Sequence, residues 1–429
     1  MRLSKTRRDL LVAFASQLGF KILGFALLAL MARGLSQAEF GKLMFALTLC
    51  GVTVLVTDLG ASTDLSRRVA AAPAGARRRL EAVLSARLPL VAAYLVLLAA
   101  WVAVTKPDAL AVVAAIAVYS VCKDVYRTYS SLFLGLRWVG YTVWAFGISL
   151  AVLVAAVAVG AMTGAGLGWM TGAHVLSGAV LLSLAAAIAR LRIGPIRLRF
   201  GWRRMRRIFA GSIWLFVLSI AGLVHFAADT VMLGYLQPYE QVARYQAAAK
   251  LVEASQFVVR PLTLILLPVC AAYAARQQWD DLRRLMHKMF AGMAVLGAAA
   301  WGFVALLALP IIRMVYSATY DESAEVLRAL YLSVPGLYIA TVAMLLASAT
   351  MREKRAVLIM ATGVALNVAL NLVAIPRYGA LGAAWVTVVS QTFVGGWLIV
   401  DAYRTVARHP PIDLAPERQL EAALAVRDD

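Results

Sequence analysis

LPLVAAYLVLLAAWVAV, residues 88–104, runs for seventeen positions without one charged side chain. As a helix rising 1.5 Å per residue it is about 25 Å long, close to the ~30 Å hydrocarbon core of a bilayer. A strand of an outer-membrane barrel would be shorter and would alternate apolar with polar residues, which this run does not. Next comes ALAVVAAIAVYSVCKDVYRTYSSLFLGL, residues 109–136, with only Lys123, Asp124 and Arg127 charged. Marking every run of this kind predicts spans at 10–32, 43–61, 88–104, 109–136, 141–162 and 168–189. Six more are predicted at 208–233, 242–274, 289–315, 324–350, 356–375 and 380–403. The expected fold is an all-α polytopic membrane protein with 12 transmembrane helices.

The whole chain agrees with that reading. Its 429 residues are 62% hydrophobic and 15% charged, and its mean hydropathy is +0.79, which excludes an ordinary soluble enzyme. The net charge of +20 would suggest nucleic acid in a soluble protein. Here its distribution decides: with the N-terminus inside, 30 of the 42 Lys and Arg fall in cytoplasmic segments and eight at outer loops and helix ends. Four, Lys21, Lys123, Arg127 and Arg260, fall inside spans, and Arg87 is counted with the cytoplasmic loop between spans two and three. Both termini are therefore expected in the cytoplasm. MRLSKTRRDL at the start reads as the lead into a retained first span, since no small-residue cleavage signature follows.

Chemistry is excluded as sharply. Cys50, Cys122 and Cys270 each sit in an apolar run, so neither a disulfide framework nor a zinc site is indicated. No GxxxxGK[ST] loop and no HExxH helix occurs, and the loops are too short for a nucleotide-binding or catalytic domain. The expectation is a protein that is not an enzyme, with no cofactor, no metal, no nucleotide and no nucleic acid.

The two halves of the chain resemble each other. Leu35-Ser36-Gln37-Ala38-Glu39 after the first span matches Leu236-Gln237-Pro238-Tyr239-Glu240 after the seventh. Arg137 pairs with Arg352, and Gly166 and Trp169 with Gly382 and Trp385, in the same order. Six spans per copy is an even number, so the copies are parallel repeats related by an axis along the membrane normal. The expected domains are an N-terminal lobe at 1–195, a basic cytoplasmic linker at 196–207, a C-terminal lobe at 208–403 and a cytoplasmic tail at 404–429. The linker arginines serve orientation and can meet anionic membrane lipids.

With these residues on the page, a family resemblance emerges. Ala32-Arg33-Gly34-Leu35-Ser36-Gln37-Ala38-Glu39-Phe40-Gly41 and Thr57-Asp58-Leu59-Gly60 resemble the polysaccharide (O-antigen and exopolysaccharide) flippases of the multidrug/oligosaccharidyl-lipid/polysaccharide (MOP) exporter superfamily. So do Asp229 to Gly234, Tyr245 with Ala248 and Lys250, Leu267-Pro268, Leu366-Asn367, Leu370-Asn371 and Ile375-Pro376-Arg377-Tyr378-Gly379. Phe20-Lys21-Ile22-Leu23-Gly24-Phe25 looks like the first-helix segment of lipid II flippases with Lys in place of Arg, but Leu27 and Leu28 stand where those carry a second cation. The resemblance implies a MATE-like two-lobed transporter of a polyprenyl-pyrophosphate-linked glycan in the bacterial cytoplasmic (inner) membrane. It also implies a polysaccharide polymerase and other assembly proteins as partners.

An ionisable group inside a span faces a cavity or a partner. On the eighth span Gln246, Lys250, Glu253, Phe257 and Arg260 share one helical face, with Pro261 and Pro268 placed to kink it. Lys250 has two readings, an ion pair with Glu253 near the surface or a place in a cavity stripe. Gln17 and Lys21 share a face of the first span, where Lys21 can instead pair across helices; Tyr119, Lys123 and Arg127 share a face of the fourth with Asp124 alongside, and both cations are ordinary inside charges if that span ends earlier. These residues, Gln17, Lys21, Tyr119, Lys123, Arg127, Gln246, Lys250 and Arg260, are the candidate substrate-binding set. Asp124, Asp229, Glu253 and His225 are the candidates for ion coupling; His225 and Asp229 stand at i, i+4, a spacing that equally suits a structural hydrogen bond. Asn367 and Asn371 are expected to knit helices together.

Cations exceed acids in this set, which suits an anion such as pyrophosphate. Tyr119, Tyr126 and Trp214 offer rings for sugar faces. The function expected is flipping of a lipid-linked oligosaccharide to the outer leaflet by alternating access. An ion-coupled multidrug antiporter is the first alternative and would need an unpaired membrane carboxylate. A membrane-embedded glycosyltransferase or polymerase is the second and would need a substantial aqueous loop.

Overall fold

In a computed structural model of the protein, residues 19–199 and 201–407 are described; the side chains of residues 204, 211–226, 260 and 264 are not. The described residues are mostly helical, with short 3-10 turns and connecting segments and no strand. The first helix, α1, is described over 19–34. It is followed by α2 (Gln37–Thr53), α3 (Ala61–Ala71), α4 (Ala76–Thr105), α5 (Leu110–Gly135), α6 (Val139–Thr163) and α7 (Gly166–Ile193). Next are α8 (Trp202–Leu236), α9 (Tyr239–Ala275), α10 (Trp279–Val315), α11 (Ser323–Tyr331), α12 (Val334–Ala349) and α13 (Glu353–Ala407).

Seven of these, by length and composition, can cross a membrane, and nine if each bent pair counts as one span. The longest, α13, is two helices run together: Gly379 takes φ 55°, ψ −133°, a left-handed value that glycine adopts without a Cβ clash. That break falls between the two last predicted spans. In α9 the segments Tyr239–Thr263 and Ile265–Ala275 meet at 43°. Pro268 has no N–H to offer the carbonyl four residues back, at position 264, where the bend lies.

Three expectations needed revision. The segment after the second span is not loop: α3 forms there, burying Ala61, Leu65 and Val69 on one face while Arg67 and Arg68 stay exposed. Helix α4 begins at Ala76, twelve residues before the predicted span, because 76–87 continues its apolar face through Leu80, Val83 and Leu84. Arg87, counted as a loop charge, consequently lies inside α4 and is 1% exposed. The predicted tenth span is divided into α11 and α12, bent by 42°.

The helices gather into two compact units. Among the described residues, the first contains 19–199, 201–247, 309–324 and 371–383. Its inner core packs Leu65 and Val69 of α3, Leu80 and Leu84 of α4, Leu132 and Phe133 of α5, Ala185 and Ala189 of α7, and Met205 and Phe209 of α8. At its other end Arg33 donates to the Tyr316 carbonyl at 3.0 Å, the Tyr316 hydroxyl to the Ala247 carbonyl at 2.9 Å, and Gln237 to the Ile375 carbonyl at 2.9 Å. Ser36 caps α2 in a reciprocal box with Glu39, fixing the sharp exit from α1.

Among the described residues, the second unit contains 248–308, 325–370 and 384–407. Tyr331 and Tyr338 donate to the carbonyls of Leu251 and Ser255 at 3.2 and 3.0 Å, tying α11 and α12 to α9. Arg355 and Asp401 form an ion pair at 2.6 Å within α13.

Candidate functional site

The first unit holds a buried ionic cluster built by a broken helix. After α2 the chain tightens into a 3-10 turn, Val54–Thr57, and reverses through Leu59 and Gly60, both at positive φ (44° and 80°). This break turns the Asp58 carboxylate inward, where it accepts from the Ser62 N–H at 3.2 Å and the Ser62 hydroxyl at 2.5 Å, satisfying a free donor of the first turn of α3. Arg87 of α4 reaches the same point. Its Nη1 lies 3.1 Å from Asp58 Oδ1, its Nε donates to the Thr57 carbonyl at 3.2 Å, and its Nη2 to the Thr57 hydroxyl at 3.0 Å. Nη2 also pairs with Asp124 Oδ2 of α5, and Nη1 with the Thr128 hydroxyl. All five guanidinium donors thus have acceptors, the condition for keeping such a charge away from water.

That arrangement decides the state of the α5 stripe. Asp124 gives its Oδ2 to Arg87 and to the Thr57 hydroxyl at 3.0 Å, so Arg127, exposed on the same helix, is left with the more distant Oδ1 at 3.5 Å. Lys123, exposed next to it, forms no ion pair among the described residues. Its Nζ lies 5.8 Å from the Tyr119 ring centre, and that ring meets His174 of α7 edge-on at 5.3 Å. His174, buried, donates its Nδ1–H to the Met170 carbonyl at 2.7 Å. Lys123 stands at the middle of a 28-residue apolar run, where a charge is stable only toward water, an anion or a ring.

Elsewhere in this unit Asp229 of α8 is 2% exposed and accepts from the Tyr245 hydroxyl and the Asn371 amide, both at 2.5 Å. Gln246 donates to the neighbouring Thr230 hydroxyl and is also buried. Asn371 therefore ties α13 to α8, as expected, and Asn367 reaches Ser390 at 3.4 Å within the second unit. Lys21 is exposed on α1.

The structure thus brings Tyr119, Lys123, Asp124 and Arg127 together on α5, and Asp229 and Gln246 into a separate buried group. Lys250 and Glu253 belong to the second unit and pair at 2.7 Å with both side chains open to the surface. Gln17 and the side chains of His225, Trp214 and Arg260 lie outside what is described. Sequence reasoning missed Arg87 and His174, and quoted Asp58 only as part of a family motif. The readable signal for Arg87 was its place on the apolar face of a helix starting before the hydrophobic run.

A sequence profile of the family described as Polysaccharide biosynthesis protein matches residues 6–274. No curated protein matches the chain in sequence. Among solved structures, an inward-facing multidrug resistance MATE family transporter of the MOP superfamily is similar at 13% identity, TM-score 0.72, over 90% of this chain and 95% of that one. The lipid II flippase MurJ, in an inward closed conformation, is similar at 14% identity, TM-score 0.71, over 92% and 87%. A MOP superfamily transporter from Pyrococcus furiosus gives 14%, TM-score 0.51, over 93% of each.

Proposed function

The chain belongs to the Polysaccharide biosynthesis protein family, and on that premise we propose that it flips a polyprenyl-pyrophosphate-linked oligosaccharide from the inner to the outer leaflet of the bacterial cytoplasmic membrane. The fold is that of MOP superfamily transporters, which alone leaves the cargo open. One observation carries the choice of an anionic cargo: Lys123 and Arg127, one turn apart in mid-span, are exposed, while the acid between them gives its Oδ2 to Arg87 and meets Arg127 only through Oδ1 at 3.5 Å. Two accessible cations in low dielectric attract pyrophosphate strongly. Tyr119 beside them offers a ring to a sugar face. Lys21, Gln17, Gln246, Lys250 and Arg260 complete the substrate set we assign.

Export is favoured by the membrane potential, by about 2.3 kcal/mol per charge per 100 mV if the charge crosses the whole field. If an ion is exchanged as well, Asp229, held by a hydroxyl and an amide, is the carboxylate we assign to it, with His225, Glu253 and Asp124 as the other candidates. The headgroup passes between the two six-helix lobes, at 1–195 and 208–403, while the lipid tail stays in the bilayer, and polymerase and assembly proteins receive the product. A drug antiporter needs an acidic cavity for cationic cargo, whereas the exposed mid-span charges on α5 are basic.

The test is an export assay in cells dependent on this chain. Lys123→Gln and Arg127→Gln should each lower surface polysaccharide at least about tenfold, the loss expected of a charged hydrogen bond, with membrane expression unchanged; Arg260→Ala should do the same. Normal export by all three, or drug resistance conferred by the wild type without polysaccharide, would replace this reading with the antiporter.

A further inference from the structure

The segment joining α7 to α8 is fastened rather than loose. Residues 194–199, outside any helix, lie beside the first turns of α4, where the Arg197 N–H donates to Glu81 Oε1 at 3.0 Å and the Arg199 N–H to the Ser85 hydroxyl at 2.9 Å. Arg77 closes on the same Glu81 oxygen at 3.1 Å. Ile196 packs against the inner core, as do Met205 and Phe209 at the start of α8. The amides of Arg197 and Arg199 and the Glu81 carboxylate are engaged in this fastening. The side chains of Arg78, Arg190, Arg192, Arg197, Arg199 and Arg203 stay exposed; Arg192 lies over the Tyr141 ring at 5.2 Å and the Arg197 charge is felt by Glu81, while Arg78, Arg190, Arg199 and Arg203 form no ion pair among the described residues. Between them Leu191, Leu198 and Trp202 are exposed by 84%, 51% and 66%.

Arginine forks beside exposed Leu and Trp match the boundary of an anionic leaflet, where phosphates meet acyl chains. We propose that this ledge, held in shape by Glu81 and Ser85, binds the headgroups of resident anionic phospholipids at the cytoplasmic face. It extends the general expectation of lipid contact to a shaped site, and it stands apart from the cargo site on α5, so it survives or fails independently of the transport reading.

The probe is native mass spectrometry of the detergent-purified full chain offered phosphatidylglycerol or phosphatidylcholine. Phosphatidylglycerol adducts should dominate and should fall at least about fivefold in the triple variant Arg197→Gln, Arg199→Gln, Arg203→Gln, the loss expected if even one of the three cations meets a headgroup. The control triple Arg276→Gln, Arg283→Gln, Lys288→Gln removes equal charge from the second unit and should leave the adducts unchanged. Glu81→Ala separates shape from charge. It makes the chain more basic but frees the linker, so adducts should decrease. An increase in adducts with Glu81→Ala, equal loss in both triples, or equal binding of the two lipids would each overturn the proposal. Competition by millimolar inorganic phosphate alone would reassign the ledge to free anions and overturn it as well.

Discussion

A guanidinium can satisfy two acids, a hydroxyl pair and a carbonyl at once because its donors diverge in a plane; an ammonium cannot. Arg87 uses that property in full. Arg87→Lys should therefore destabilise nearly as much as Arg87→Met, by about 3–5 kcal/mol, since either leaves buried carboxylates short of partners. Melting of the detergent-solubilised protein checks this, and Arg87→Met combined with Asp58→Asn and Asp124→Asn should recover much of the loss. Wild-type melting of Arg87→Lys would show that only charge matters at the site. The cluster was hard to read because its members lie 29 and 37 positions apart with no helical spacing to link them. Neighbours on one helix were easy: the Lys250 and Glu253 pair and the Lys123 and Arg127 stripe both follow from turns of three and four residues. What periodicity cannot say is which face of a helix meets another, and so Tyr119 was expected beside Lys123 while His174 was not.

Among the elements, the long hydrophobic runs were legible to within a few residues, as α5, α6 and α7 show. Their polar extensions were not, because charged residues mark a membrane boundary without marking the end of a helix. Ala61, Leu65 and Val69, each four apart, were the trace of α3 available in advance. Close approach of elements was also invisible. A Cβ built at Gly41 of α2 overlaps the Tyr239 carbonyl at the start of α9. Gly41→Ala should thus push these two helices apart and cost about 1–3 kcal/mol, with no polar group lost. Gly51→Ala, which meets nothing within 4 Å, is the matched control in the same helix. Equal melting points for the two variants would mean that α9 yields freely.

For the molecule as a whole, the expected topology puts the two ends of α4 on opposite sides of the membrane. Pro107, just beyond its last turn, and Arg78, in its first, are both exposed. In a chain cleared of native cysteines, Pro107→Cys should react with an impermeant thiol reagent on intact cells and Arg78→Cys only after lysis. Reaction of Arg78→Cys from outside would reverse the whole orientation. The all-helical membrane fold was readable from hydropathy and charge alone, because lipid leaves a spanning chain few alternatives; its transporter character came from the repeat and the family resemblance. The twelvefold count and the lobe boundaries rest on sequence still. The buried trio of Asp58, Arg87 and Asp124 adds a requirement on synthesis. Each of these charges would face lipid if its helix entered the bilayer singly, at about 2.5–3.5 kcal/mol apiece near mid-membrane. The ribosome delivers Asp58 first and Asp124 last, with Arg87 between them. Helices α2, α4 and α5 are therefore expected to leave the insertion machinery as one group, and an Arg87 variant to be caught by quality control before folding is complete.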